Sequence, residues 1–310
     1  MSKHVVIGAG AVGSGVARKL AEAGHEVVMV TRSGSGPDHA NINKVAADAA
    51  DPAKLTAIAD GATAIYNCAN PPYHKWATDW PPISDSTIGA AGATGARLVI
   101  MGNLYGFGRG SSPMAATDAL HPTSRKGEVR VHMWNDALEA HEAGRIEATE
   151  VRASDFFGPG IGESGALGDR SVGPALKGKT VRIPGPPDQP HSWSYIGDVA
   201  TTLFHAGTSD LAPGRAWHVP TLEPMTAQQM MDALCDTADT PRVTVKQIPA
   251  TVMRGIGMVM PVIRELAEMS YQFEAPFEID AADTVATFDQ KPTPLAEQMA
   301  ATIADARLSG

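Results

Sequence analysis

Apolar residues in the first half of the chain come in short solid runs separated by stripes at helical spacing. Val5, Val6 and Ile7 are consecutive β-branched residues, as expected of a strand buried on both faces. Val12, Val16, Ala17, Leu20 and Ala21 then recur at the spacing of one helix face, and Gly24 ends that stripe. Val27 to Val30 form a second solid run. "INKVAAD" leads to Asp48, and "PAKLTAIADG" reads as a helix stopped by Gly61. "ATAIYNCAN" reads as a buried strand ending near Cys68, and "PPYHKWATDWPP" as a Pro-rich loop before a helix in "ISDSTIGAAGATG". "ARLVIMGN" is a further strand, "GEVRVHMWNDALEAHEAG" a long amphipathic helix, and "ATEVRASDFFGPG" a sixth strand with a Gly/Pro exit.

This β-α-β-α rhythm predicts an α/β protein with a doubly wound parallel Rossmann sheet, whose ligand lies beyond the carboxyl ends of the strands. After Phe157 the elements shorten and Gly and Pro become frequent. The expected division is a nucleotide-binding core over 1–157 and a mixed region over 158–310, with returning core elements and a smaller C-terminal substrate lobe. "VATTLFHAG" is predicted to be a helix returning to the core. "TAQQMMDALCDTA" and "PLAEQMAATIADARL" are predicted helices of the lobe, with "TVKQIP" a strand. The Met-rich stretch "VMRGIGMVMPVIRELAEMSYQF" is read as core or subunit contact more than as a ligand pocket.

The first strand–helix junction carries chemistry. Gly8, Gly10 and Gly13 have the G-x-G-x-x-G spacing, which permits a tight turn, close approach to a pyrophosphate, and close helix–strand packing. Ala11 and Val12 open the helix, whose free N–H groups and positive dipole end suit a phosphate. At the end of the second strand an NAD site wants a carboxylate for the ribose 2′-OH, whereas an NADP site offers Arg and hydroxyls. The chain has Thr31, Arg32, Ser33 and Ser35 there, and no carboxylate before Asp38, so NADP is the expected cofactor and NAD the less favoured one.

Composition narrows the partners. The 310 residues carry a net charge of −9, which argues against a nucleic-acid groove or an anionic membrane surface. No stretch reads as a membrane span or a signal peptide. Cys68 and Cys235 are far apart and without a C-x-x-C, the pattern of two reduced thiols in a cytoplasmic protein. The ten histidines form no clustered motif, so no metal is expected. A small-molecule substrate remains the expected partner.

Nearly the whole chain resembles the extended short-chain dehydrogenase/reductases, also called the NAD-dependent epimerase/dehydratase family. The resemblance rests on the glycine fingerprint, "GHEVVMVTR", "IYNCAN", "NLYGFG", "VRASDFFGPG" and "WSYIGDVATTL", in that order. It implies a Rossmann sheet with a small C-terminal substrate lobe. It also implies that Asp48 contacts adenine and that Cys68, Ala69 and Asn70 border the nicotinamide ribose. A dimer through two long helices is the family expectation, for which Met133, Trp134 and Leu138 offer an apolar stripe.

The resemblance fails at the catalytic motif. The family's Tyr-x-x-x-Lys falls on "HPTSRKGEVR", where Lys126 takes the tyrosine position and Arg130 the lysine position, and its Ser/Thr falls on Met101. Four residues apart at a helix start, Lys126 and Arg130 share a face. A neighbouring cation would make Lys126 a readier proton donor, with Arg130 holding cofactor; alternatively both merely bind cofactor or a carboxylate substrate. Tyr105 and Asp155 are the other catalytic candidates, Asp155 with a turn or cap role as its alternative. Asn103 is a replacement hydrogen-bond donor. Tyr73, His74 and Trp76 (beside Lys75) and His191 and Trp193 (beside Tyr195) are expected walls of the substrate pocket.

The reading that follows is an NADP-dependent oxidoreductase moving hydride to or from a small carbonyl, enone or imine. The alternatives are a nucleotide-sugar epimerase or dehydratase with bound NAD, and a non-enzymatic NADP-binding sensor or scaffold.

Overall fold

The computed structural model describes residues 1–162, 165, 167–248 and 268–309. Its strands are β1 (Lys3–Ile7), β2 (Glu26–Thr31), β3 (Ile42–Ala46), β4 (Ala62–Asn67), β5 (Arg97–Asn103), β6 (Met114–Ala115), β7 (Ala148–Ala153), β8 (Phe156–Phe157), β9 (Val181–Ile183), β10 (Ser194–Tyr195), β11 (Ala216–His218), β12 (Val245–Gln247) and β13 (Ile279–Asp280). Its helices are α1 (Ala11–Glu22), α2 (Pro52–Ala59), α3 (Trp76–Thr94), α4 (Arg125–Glu142), α5 (Asp169–Leu176), α6 (Ile196–Thr208), α7 (Ala227–Ala238), α8 (Ala282–Phe288) and α9 (Leu295–Ser309).

Seven strands form one sheet in the order β11-β7-β5-β4-β1-β2-β3, every pairing parallel. The order reverses direction at β1, which places a crevice outside the carboxyl ends of β1 and β4. The solid apolar runs follow from double coverage. Alternate residues of β1 serve two cores: Val5 and Ile7 pack with Leu55 of α2, Ala90 and Ala91 of α3 and Trp134 of α4, while Val6 packs with Val16 and Leu20 of α1 and Val199 and Leu203 of α6.

The region after Phe157 is interleaved with the sheet. Helix α6 packs on the α1 side, and β11 hydrogen-bonds to β7 as the sheet's edge. A separate core joins α5, α7, α9, β9 and β12 through Val172, Val181, Met230, Leu234, Cys235, Val245 and Ile303. Cys235 is fully buried there.

Two expectations need correction. The segment "PPYHKWATDWPP" is not a loop throughout: a 3-10 turn covers Tyr73–Lys75, and α3 begins at Trp76 with Pro81 and Pro82 inside it. Proline normally stops a helix by removing a donor and crowding the preceding turn. Here Trp76 and Trp80 on the same face are buried against Met133, and that tertiary contact outweighs the local preference. The stripe proposed for a dimer is spent inside the chain, since Met133 and Trp134 are buried against its own α3 and sheet. The Met-rich stretch lies outside the described residues for positions 252–267. No helix among the described residues is long and apolar enough to cross a membrane.

Helix starts follow local chemistry. Asp51 accepts a hydrogen bond from the Lys54 amide at the start of α2, Ser124 caps α4 through Gly127, and Thr226 and Gln229 form a reciprocal capping box on α7. Asp51→Ala is expected to cost about 1 kcal/mol, read as a lowered denaturant midpoint with an unchanged slope; an unchanged midpoint would show that this cap is energetically idle.

Candidate active site

The crevice holds an outer groove of about 840 Å³, lined by Gly8–Gly10, Val30–Ser33, Ala47–Ala50 and Cys68–Pro72 among others. Gly8 has φ +95°, and a Cβ there would lie 2.6 Å from the Cys68 carbonyl oxygen; one on Gly13 would lie 1.9 Å from the Gly8 oxygen. Both positions therefore require glycine, and β1, β4 and α1 meet at contact distance because of it. Around Gly10 there is open space, and no side chain caps α1. The free N–H groups of its first turn thus face the groove.

At the far end of the groove, the Thr31 hydroxyl donates to the Ser35 carbonyl and accepts from the Ser35 amide, and the Ser33 hydroxyl donates to that of Ser35. Arg32 is exposed on this turn, and its side chain has no partner among the described residues. Asp48 also lines the groove, its carboxylate accepting from the Ala50 amide. The open glycine turn, uncapped helix and hydroxyl-lined rim fit a dinucleotide.

Gly10, Cys68, Ala69 and Asn70 border both this groove and a smaller inner pocket of about 170 Å³. The inner pocket is also lined by Ala11, Val12, Tyr73, Trp76, Met101, Asn103, Tyr105, Arg130, Asp155 and Gln272. Burial pushes the Cys68 thiol up to about 12, so it is neither nucleophile nor acid at neutral pH.

Tyr73 and Tyr105 meet across the pocket, their hydroxyls 2.9 Å apart. Asn103 accepts from the Tyr105 amide through its side-chain oxygen, which fixes this turn and leaves the side-chain N–H groups as donors. Trp76 stacks on Tyr105 with ring centres 6.0 Å apart and anchors its own indole N–H on the Pro71 carbonyl. Arg130 is sandwiched against Trp76 and Trp80, its guanidinium carbon 4.7 and 4.3 Å from the two ring centres. It donates to the Met101 carbonyl, while its Nε is buried without a partner. Burial pulls the Arg130 guanidinium down to about 10, which leaves it charged at neutral pH.

Lys126 departs from expectation. It is buried and does not line the inner pocket; its Nζ lies 2.5 Å from a carboxylate oxygen of Glu268. The expected pair of neighbouring bare cations is instead an ion pair beside an indole-held guanidinium, and Lys126 Nζ lies 5.5 Å from the centre of the Tyr73 ring.

Asp155 does line the pocket, and its carboxylate is not a turn cap: His191 Nε2 lies 2.9 Å from it and 3.2 Å from the Ser154 hydroxyl. His191 itself is buried behind the pocket, stacked on Phe273 at 5.1 Å and beside Trp193 at 4.4 Å. Trp193 donates to the Met225 carbonyl. Neither His191 nor Trp193 is a pocket wall, and His74 is exposed on the 3-10 turn and lines neither cavity. Tyr73, Trp76 and Asn103 line the inner pocket. Sequence reasoning missed Trp80, Glu268 and Gln272. The first hid in a supposed loop, and the others stand at the end of the Met-rich stretch, which reads as core or subunit contact although Gln272 lines the inner pocket.

Residues 4–219 match the model of the family described as NAD dependent epimerase/dehydratase. No curated protein matches the chain. Among solved structures, the Bordetella bronchiseptica enzyme WbmH in complex with NAD+ is 20% identical, with 99% of each chain covered and a TM-score of 0.75. UDP-glucose 4-epimerase from Thermotoga maritima, solved with UDP-glucose, is 18% identical, with 99% of each chain covered and a TM-score of 0.79. UDP-glucuronic acid 4-epimerase from Bacillus cereus, solved with UDP-glucuronic acid and NAD, is 16% identical, covering 99% of this chain and 100% of that one, with a TM-score of 0.79. At these identities the likeness is one of fold. The family match spans more than two thirds of the sequence and takes in the glycine turn, the groove and most of the inner pocket. The chain thus belongs to the NAD dependent epimerase/dehydratase family of nicotinamide-dependent enzymes.

Proposed function

We propose that the protein is an NADP-dependent oxidoreductase that acts on a small polar carbonyl, enone or imine, or on the corresponding reduced compound. The observation that carries this reading is the inner pocket, which continues from the dinucleotide groove and is lined by two phenols, three side-chain amides and a carboxylate. At about 170 Å³ it is smaller than the roughly 300–1,000 Å³ of pockets for drug-sized ligands. Gly8, Gly10 and the first turn of α1 would hold the pyrophosphate, Asp48 and Arg32 the adenosine end, and Ala69, Asn70 and Arg130 the nicotinamide end. The dinucleotide supplies or accepts the hydride; the chain orients the substrate, keeps water away and moves a proton. Preference for the 2′-phosphate rests on the unpartnered Arg32 and the absence of a carboxylate beside it.

A second reading has its own observation. The fold is shared end to end with epimerases solved with UDP-sugars, one of them together with NAD, so conversion of a nucleotide sugar with tightly held NAD is the competing assignment. One experiment separates them. Dinucleotide binding is measured by fluorescence, NADPH consumption is followed at 340 nm over small carbonyls, enones and imines, and UDP-hexoses and UDP-hexuronic acids are assayed with NAD+ for epimer formation. NADPH consumption with a small acceptor is the expected result. Conversion of a UDP-sugar in its place would establish the second reading, and binding with no turnover of either class would leave a sensor or scaffold.

A further inference from the structure

The chain lacks the tyrosine of Tyr-x-x-x-Lys, yet a phenol beside a lysine exists in the site. It is assembled from another part of the sequence. Tyr73 enters from the segment between β4 and α3 and lines the inner pocket. Its ring lies 5.5 Å from Lys126 Nζ and 4.9 Å from the ring of Trp76, and its hydroxyl lies 2.9 Å from that of Tyr105.

Two phenols joined by one hydrogen bond have two hydroxyl protons, of which one occupies the bond. The second is available to a third oxygen. Charge decides which phenol holds it. Burial raises both phenols, Tyr105 the more strongly; Asp155 opposes and Arg130 favours negative charge on each, and the Lys126 cation adds its favourable charge at Tyr73. Tyr73 is accordingly the phenol better able to lose a proton, with Tyr105 donating to it. Tyr105 is held for that role by the Asn103 side chain at its amide and by Trp76 against its ring.

We propose that Tyr73 is the catalytic proton donor of this enzyme, replacing the missing motif tyrosine from the opposite side of the pocket, with Tyr105 and Lys126 as its positioning residues. The proposal rests on the oxidoreductase reading above. In reduction of a carbonyl, the carbonyl carbon takes a hydride from the reduced nicotinamide dinucleotide and the C=O π bond breaks. The Tyr73 O–H bond breaks as the new O–H bond forms on the substrate. The Tyr73 phenolate left behind is stabilised by the Tyr105 hydroxyl and the two cations, and takes a proton back from water. Burial holds the Tyr73 phenol above its ordinary value, and the Tyr105 phenol well above. Both therefore stay protonated through neutral pH, so the reduction rate is flat there. Oxidation, which needs the phenolate, rises with pH.

The test uses the full chain in two measurements. In the first, kcat, KM and dinucleotide Kd are compared for the wild type, Tyr73→Phe, Tyr105→Phe and Lys126→Met. Tyr73→Phe should lower kcat by about a hundredfold or more while Kd stays within about threefold. Tyr105→Phe should lower kcat about tenfold, as one hydrogen bond to the phenolate is lost. Lys126→Met should lower kcat without the tenfold rise in KM that loss of a substrate ligand would produce, taken as about 1.4 kcal/mol. In the second, the five tyrosines are labelled at Cζ and observed by NMR in the ligand-free protein. The signal lost in Tyr73→Phe should move in Tyr105→Phe.

Wild-type kcat in Tyr73→Phe, or an effect confined to KM, overturns the proposal. So does a Tyr73 signal indifferent to Tyr105→Phe, a result that holds even if a variant enzyme is inactive through misfolding. A wild type that binds dinucleotide, shows the coupled signals and reduces nothing defeats the oxidoreductase reading first, and the proposal with it.

Discussion

Arg32→Asp is expected to weaken NADPH binding about ten- to hundredfold while leaving NADH binding unchanged or improved, because one charge-assisted contact is worth about 1.5–3 kcal/mol. The hydroxyls around Arg32 are already engaged with one another: Thr31 with the Ser35 backbone, Ser33 with the Ser35 side chain. They form a pre-ordered turn from which Arg32 projects as the cation that can meet a 2′-phosphate. Aspartate would present a like charge to that phosphate and an acceptor to a bare ribose hydroxyl. Since Arg32 is exposed, the wild-type preference should also shrink as salt rises. Calorimetric titration of both dinucleotides at two salt concentrations is the measurement, and an unchanged NADPH affinity would show that the end of β2 does not set the choice.

Acid is expected to destabilise the fold between about pH 6.5 and pH 4, through two buried histidines. Burial, aided by His25, lowers His4 to about 4, and burial, aided by Arg152, lowers His218 to about 4. His4 belongs to β1 and has its Nε2 2.8 Å from the Ser2 hydroxyl, and His218 has Nδ1 3.0 Å from the Asp280 carbonyl while its Nε2 has no partner among the described residues. Each is neutral in the fold and takes a proton more readily when unfolded. The contribution is complete above 6.5 and is lost as pH falls toward 4, by roughly 3 kcal/mol for each group. Burial raises Asp198, which works in the opposite sense and recovers part of the loss on acidification. Urea midpoints at pH 7 and pH 4.5 test the balance. The midpoint should fall, and it should fall less in His218→Gln. Equal midpoints at the two pH values would show that neither ring needs to stay neutral in the folded chain.

What could be read from the sequence divides along the distance between interacting residues. The sheet, the glycine turn and the rim at Thr31–Ser35 are built from neighbours in the chain, and their residue types declare them. The inner pocket is not. Glu268 meets Lys126 across 142 positions, and His191 meets Asp155 across 36; residue types suggest such partners but nothing local selects them. Lys126 therefore read as a cation beside another cation, though it is half of an ion pair. Tyr73 read as a pocket wall, because the segment carrying it has the prolines of a loop. Only the burial of Trp76 and Trp80 against α4 reveals that the segment is ordered and that its tyrosine is held in place.

The two cysteines have a practical consequence. Cys68 is buried just after β4, in the wall between groove and inner pocket, and Cys235 is sealed in the core that joins α5, α7 and α9. Alkylation needs an accessible thiolate, so neither thiol can be modified until the structure around it opens. Each of these two cores thus carries a single chemical stopwatch. Reagent captured at Cys68 times the opening of the sheet, and reagent captured at Cys235 times the opening of the core around α7. Identical rates mean one cooperative unit. A dinucleotide that slows only Cys68 shows that the two cores breathe separately.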